Sequence, residues 1–121
     1  MASTKVVTVL DNDVTLTAAA GDHTSSIWTI DDGYGGELYV KITNGGTGPT
    51  IAAQFQVWVS PDNSNWYEFG GAIAATVTNS AILSLVINIP IGVEFAKVVS
   101  GSNTGQNVTI RVEGSEVTAI S

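Results

Sequence analysis

Short runs of β-branched and other apolar residues, separated by Gly, Asn, Asp and Pro, recur along the whole sequence. No stretch has the periodicity of an amphipathic helix, whereas several runs alternate apolar and polar residues. This alternation places successive side chains on opposite faces of a strand. We therefore predict an all-β chain, with strands near residues 5–10, 13–18, 25–30, 36–44, 52–60, 66–71, 81–89, 93–99, 106–113 and 115–120.

The number and spacing of these runs predict an antiparallel β-sandwich of about 8–10 short strands. Both a jelly roll and an immunoglobulin-like sandwich have this pattern, so the strand order stays open. A chain of 121 residues fits one domain, and no long linker or internal repeat interrupts it. We expect a single β-sandwich domain over residues 1–121, in which residues 1–9 form either an N-terminal arm or an edge strand.

Charge excludes several classes of partner. Four basic residues stand against eleven acidic ones, and the net charge is -7. Because phosphate backbones and anionic lipids are bound by Lys and Arg clusters, we expect neither nucleic-acid binding nor membrane binding. Only 12% of the residues are charged, about half the share usual for soluble domains, which suits a surface that packs against neighbouring subunits. The start of the chain, 1–7, lacks the apolar stretch of a signal peptide, so we expect synthesis without Sec export.

Residues 52–72 predict a β-hairpin that turns a tryptophan away from the core. Alternation in its first strand directs Phe55 and Val57 to one face and Trp58 to the other. The loop 61–65 consists of residues that favour turns or bond their own backbone. A large apolar side chain opposite the core indicates a ligand platform, a subunit contact or a second buried layer.

The second strand of this hairpin extends the same outward face. Pairing of Ser60 with Trp66 would place Trp66 and Glu68 beside the tryptophan of the preceding strand. Tyr67 and Phe69 would then join the core face. The hairpin therefore indicates binding or assembly rather than catalysis.

The segment 81–90 is apolar on both faces. Its odd-numbered residues form one apolar face, and Ile82 and Val86 add apolar groups to the other. A strand covered on both faces has this pattern. Either a loop of the same chain or a second subunit would supply the second cover. We expect four main contact residues on the surface of the domain: Trp58, Trp66, Ile82 and Val86.

The sequence gives little support for an enzymatic function. The single histidine, His23, lies in a polar turn segment and is expected to be an exposed loop residue. No Gly-x-Ser-x-Gly motif occurs, and the carboxylate groups at 11–13 and 31–32 fit turn capping better than catalysis. The oxygen-rich segment 62–65 begins no EF-hand loop, and cysteine is absent. We predict a protein that is not an enzyme and has no catalytic residues, metal or cofactor.

The hairpin phrase from Val57 to Trp66, the start Met1–Thr4 and the low charge resemble small virion proteins of tailed bacteriophages, particularly head decoration or cement proteins. The resemblance implies a homotrimer that binds where subunits of the major capsid protein meet and stabilises the shell. It also implies a location on the capsid surface after synthesis in the host cytoplasm. In that case the N-terminal segment 2–9 is a candidate arm for pairing with an adjacent subunit.

The alternative is a carbohydrate-binding module or a phage adhesin domain. Sugar rings stack on exposed aromatic side chains, while amides and carboxylates bond the hydroxyl groups. Such a surface would use Trp58, Trp66, Tyr39, Gln56 and Glu68. The same aromatic residues serve both hypotheses, and the sequence does not decide between them.

Overall fold

Two antiparallel β-sheets face each other in the computed structural model, which describes residues 3–30 and 35–120. This part of the chain contains nine strands and confirms the predicted all-β sandwich. The strands are β1 (Ser3–Leu16), β2 (His23–Thr24), β3 (Trp28–Thr29), β4 (Gly36–Asn44), β5 (Gln54–Ser60), β6 (Tyr67–Ala74), β7 (Ile82–Ile89), β8 (Phe95–Gly101) and β9 (Val108–Ile120). No helix in the described residues is long and apolar enough to cross a membrane.

The strand order resolves the topology that the sequence left open. The four-stranded sheet has the order β1-β9-β4-β7, and the five-stranded sheet has the order β2-β8-β5-β6 with β3 also paired to β8. Since β2 and β3 are two short pieces along one edge of β8, the fold reduces to two sheets of four. If β2 and β3 are counted as one strand, strands that are consecutive in sequence alternate between the two sheets, except for the hairpin of β5 and β6, as in a jelly roll.

The core fills the space between the sheets with the inward side chains of each strand. Leu38, Val40 and Ile42 of β4 are buried, as the alternation of this strand predicts. Trp28 lies deep in this core, and its indole ring packs directly on the backbone of Gly114 in β9. A side chain at this glycine would enter the space that the ring occupies. The core therefore needs both the largest and the smallest residue at this point.

The predicted strands differ from the observed ones mainly at bulges. The runs 5–10 and 13–18 form the single strand β1, because the segment between them is absorbed as bulges against β9. Asp13 has a φ of 50°, which aspartate tolerates better than most residues. The last two predicted runs likewise join into β9. By contrast, the predicted strand 36–44 coincides with β4.

The hairpin of β5 and β6 is confirmed, with one correction. Val59 pairs with Tyr67 and Trp58 pairs with Glu68, in agreement with the predicted register. Phe69 packs against the core, but Tyr67 is 59% exposed and does not join it. Tyr67 is the first residue of the edge strand β6, so its side chain has few neighbours.

Candidate interaction faces

The seven residues predicted to make contacts lie on two opposite faces of the sandwich. Four of them, Gln56, Trp58, Trp66 and Glu68, belong to the five-stranded sheet and the loop that enters it. The other three, Tyr39, Ile82 and Val86, lie on the outer face of the four-stranded sheet. Tyr39 is therefore separated from the tryptophans by the core, and its predicted place beside them is wrong. Strand order, which alternation alone does not fix, decides this separation.

The outer face of the five-stranded sheet carries an aromatic and polar cluster around Trp58. Cross-strand pairing places Lys97 of β8 on one side of Trp58 and Glu68 of β6 on the other. The Lys97 ammonium lies 4.2 Å from the centroid of the Trp66 ring, in the range of a cation–π contact. Both tryptophans are half-buried. Lys97 thus joins the cluster, although sequence alternation gave no reason to select it.

A shallow groove of about 210 Å³ runs along this face. Trp58, Gln54 and Gln56 lie on β5, with Asp22 next to β2 on one side and Glu68 of β6 on the other. The Gln56 amide donates hydrogen bonds to the carbonyl oxygens of Gly70 (2.9 Å) and Val57 (3.1 Å), which fix its orientation. The groove therefore combines one aromatic surface with fixed amides and two carboxylates, a set of groups able to contact a polar ligand.

The hairpin loop is built around the carboxylate of Asp62. Its Oδ1 accepts hydrogen bonds from the backbone N–H of Ser64 (2.9 Å) and of Asn65 (2.8 Å), and its Oδ2 accepts one from the Asn65 amide. Because the Asn65 and Ser64 backbone bonds favour the ionised form, they lower the pKa of Asp62 to about 2. This carboxylate is used to cap the turn. No group of three or more residues suited to bind a metal occurs among the described residues.

The outer face of the four-stranded sheet carries exposed apolar side chains. Tyr39, Ile82 and Val86 are 41%, 60% and 53% exposed, respectively. Tyr39 and Val86 are cross-strand partners and border a shallow cleft of about 320 Å³. Leu85 and Arg111 also line the cleft. This face therefore offers exposed apolar side chains next to a concave surface.

Arg111 marks the polar side of that cleft. Its guanidinium donates to Glu113, to Asn12 (2.7 Å) and to Asp13 (3.1 Å). The hydrogen bond to Glu113 is the main cause of a raised pKa at Arg111. The bulge of β1 brings Asn12 and Asp13 within reach. Asn12 and Asp13 thus contribute to a surface network, whereas Asp31 and Asp32 lie outside the described residues.

His23 is not the exposed loop residue that the sequence predicts. It lies in β2, and its Nε2 atom is 2.8 Å from Oδ1 of Asp11. Asp11 is buried, and its Oδ2 has no hydrogen-bond partner. Burial raises the pKa of Asp11, and the hydrogen bond and charge of His23 oppose this effect only in part. The pair connects β1 of one sheet to β2 of the other. The sequence pattern did not predict this contact between two residues that are twelve positions apart.

His23 also has Ser100 of β8 as its cross-strand partner. Ser100 is buried and its hydroxyl has no hydrogen-bond partner, so it is neither activated by the imidazole nor open to a substrate. Asp11, His23 and Ser100 are therefore neighbours without the hydrogen-bond chain of a catalytic triad.

Comparison with known proteins places the chain by fold. No protein-family model matches the sequence, and no curated protein sequence matches it. Among solved structures, the fold is similar to a chain of infectious bursal disease virus, Gx strain, with a TM-score of 0.60, 8% identity, and coverage of 96% of this chain and 32% of that one. It is also similar to the SPBc2 prophage-derived protein YomS, with a TM-score of 0.56, 14% identity, and coverage of 97% and 96%.

A third similar structure is the family 29 carbohydrate-binding module CBM29_1 from Piromyces equi. Its TM-score is 0.50 at 12% identity, with coverage of 92% of this chain and 90% of that one. At such identities the comparison concerns the fold alone. The chain thus shares its β-sandwich fold with viral and prophage proteins and with a carbohydrate-binding module.

Proposed function

We propose that the protein is a non-enzymatic structural protein of a phage virion, which binds the outer surface of the head as a decoration or cement protein. The observation that carries the proposal is the outer face of the four-stranded sheet. Tyr39, Ile82 and Val86 are all exposed there, and Tyr39 and Val86 border a cleft. Exposed apolar side chains that share one face mark surfaces that another protein covers. The major capsid protein and further copies of this chain are the partners that we propose.

Charge supports a protein partner rather than the packaged genome. The net charge of -7 disfavours contact with nucleic acid, and on the apolar face Arg111 already pairs with Glu113, so these two charges are partly satisfied within the chain. Similarity of fold to a prophage-derived protein and to a viral chain fits this role.

Immunogold labelling tests the location. Virions released from the strain that carries the gene are labelled with antibody against the purified protein. Gold particles over the heads would support the proposal. Labelling confined to tail tips would favour an adhesin instead. Virions without label, in a preparation where the antibody detects the protein in the lysate, would contradict a virion role.

A pair of valine variants tests which face binds the head. Heads stripped of the protein are incubated with the wild type, with Val86→Asp or with Val77→Asp, and bound protein is measured after sedimentation. Val86 lies on the proposed contact face, whereas Val77 is an equally exposed valine outside the strands. We expect at least a tenfold loss of occupancy for Val86→Asp only, because an unpaired carboxylate would be desolvated in the contact. Equal binding of both variants would exclude this face.

A second candidate function is binding of a glycan, and the groove beside Trp58 favours it. An aromatic side chain next to amides and carboxylates suits a sugar ring and its hydroxyl groups. The test is a glycan array probed with the wild type, Trp58→Ala and Tyr39→Ala. Sugar binding that is lost in Trp58→Ala and kept in Tyr39→Ala would support this function, because the two side chains lie on opposite sheets. No bound glycan would contradict it.

A further inference from the structure

Each edge strand in the described part of the chain, except one, has features that hinder pairing with a strand of another molecule. The edge strand β1 carries bulges and charges, and β6 carries Glu68 and a register shift near Gly70. β2 and β3 are only two residues long. Short, bulged or charged edges are the usual means of preventing edge-to-edge association. The remaining edge strand, β7, has eight residues, no charge, no proline and no register shift against β4.

The side chains of β7 are incompletely covered on both faces. Ile82 and Val86 are exposed on the outer face. On the inner face, Leu83, Leu85 and Ile87 pack against the core but are only half-buried. An additional strand beside β7 would cover more of both faces while it pairs the free edge.

The backbone shows which groups of β7 point outward. The Asn44 N–H donates to the Ala81 carbonyl at 2.9 Å, so residue 81 faces β4 with its hydrogen-bonding groups. Because these groups alternate along an antiparallel strand, residues 83, 85 and 87 also face β4. Residues 82, 84, 86 and 88 therefore direct their N–H and C=O groups to the free edge. No backbone hydrogen bond to another described segment uses them.

We propose that β7 pairs antiparallel with β7 of a second copy of this chain, about a twofold axis at Ser84. This register places Ile82 opposite Val86 of the second copy, and Ser84 opposite its own equivalent. On the inner face, Leu83 lies opposite Leu85 of the second copy. Apolar groups therefore meet apolar groups on both faces, and no charge is buried. The two four-stranded sheets become one continuous sheet of eight strands.

The contact does not depend on a virion role. A twofold contact predicts a dimer of twice 12.5 kDa, whereas the resemblance to decoration proteins implies a trimer. If the virion role also holds, the eight-stranded sheet would present the apolar outer faces of both copies side by side. The two proposals are tested separately, because the strand contact is measured on purified protein without heads.

Cysteine cross-linking tests the register, since the chain has no native cysteine. In Ser84→Cys the two sulfurs would meet on the twofold axis, where paired Cα atoms are about 5.5 Å apart and a disulfide can form. Asn88→Cys is the matched control on the same exposed face of the strand. Its two copies would be about 27 Å apart in this register, at about 3.4 Å per residue. After mild oxidation with copper phenanthroline, we expect the dimer band for Ser84→Cys and at least tenfold less for Asn88→Cys.

Light scattering of the purified protein tests whether the edge itself drives association. We expect a dimer for the wild type and a monomer for Ser84→Lys, which places two like charges opposite each other. Thr8→Lys, an exposed substitution on the opposite edge strand β1, should remain dimeric. A wild-type monomer or trimer, equal cross-linking of the two cysteine variants, or an unchanged mass for Ser84→Lys would overturn the proposal. Circular dichroism of each variant verifies that it is folded.

Discussion

Gly114 provides the most direct test of how the two sheets fit together. A Cβ atom at this position would lie 2.4 Å from Cε2, 2.6 Å from Cδ2 and 2.8 Å from Cζ2 of Trp28. The ring is 1% exposed and rigid, so it cannot move out of the way without disturbing the core. We predict that Gly114→Ala destabilises the fold by about 3 kcal/mol, near the upper end of the usual range for overpacking.

Gly71→Ala is the matched control. Gly71 lies on the edge strand β6, and a Cβ atom there would meet nothing within 4 Å. We expect this variant to be unchanged or more stable by up to about 1 kcal/mol, because alanine has less conformational freedom than glycine in the unfolded chain. Denaturant unfolding followed by circular dichroism measures both variants. For a domain of this size, the loss at Gly114 corresponds to a Tm lowered by about 12 °C.

A double-mutant cycle tests the cause of the loss. Phenylalanine at position 28 lacks the second ring of the indole, so Trp28→Phe should remove part of the clash with the new methyl group. We expect the double variant to lose at least about 1 kcal/mol less than the sum of the single variants. Equal unfolding midpoints for Gly114→Ala and Gly71→Ala, or strictly additive effects in the cycle, would refute the packing of this ring on β9.

Three further perturbations address charged groups. Asp62 has a pKa of about 2, below its ordinary 3.8. The ionised carboxylate therefore contributes stability that is present above pH 3.8 and is lost as the pH falls through about 2. A plot of Tm against pH should be flatter over this window in Asp62→Ala than in the wild type. The pKa of Asp11 is raised, so ionisation of Asp11 lowers the stability of the fold as the pH rises above 3.8. The free energy of unfolding of Asp11→Asn should therefore rise relative to that of the wild type when the two are compared from pH 4 to pH 7. Lys97→Gln removes the cation over Trp66 and should cost about 0.5 kcal/mol and change the tryptophan emission spectrum; an unchanged spectrum would argue against the contact.

Local patterns predicted the elements of the fold well where burial alternates cleanly. β4 matches its predicted range because Leu38, Val40 and Ile42 point into the core while their neighbours point out. The same signal failed at 11–13, where polar residues that are typical of a turn instead form bulges within one long strand. Whether such a segment ends a strand or bends it depends on the partner strand, and the partner is not encoded locally.

The candidate sites show the same limit at longer range. Alternation correctly directed Trp58 and Val86 away from the core, yet it could not show that these residues lie on different sheets. The bond between His23 and Asp11 was missed for the same reason, since it joins strands that are brought together only by the sandwich. The sequence around Lys97 does not indicate that this residue lies in the aromatic cluster, because its position there results from cross-strand pairing with Trp58.

The separation of the two faces changes how the functional hypotheses relate to each other. An aromatic surface shared by both functions, as the sequence suggested, would make assembly and glycan binding compete for the same residues. In the folded chain the apolar face and the free edge of β7 belong to the four-stranded sheet, while the groove beside Trp58 belongs to the other sheet. Packed sheets lie about 10 Å apart, so substitutions on the two faces should act independently. A subunit attached through the four-stranded sheet would therefore keep its groove open to solvent, and the two functions are compatible in one protein.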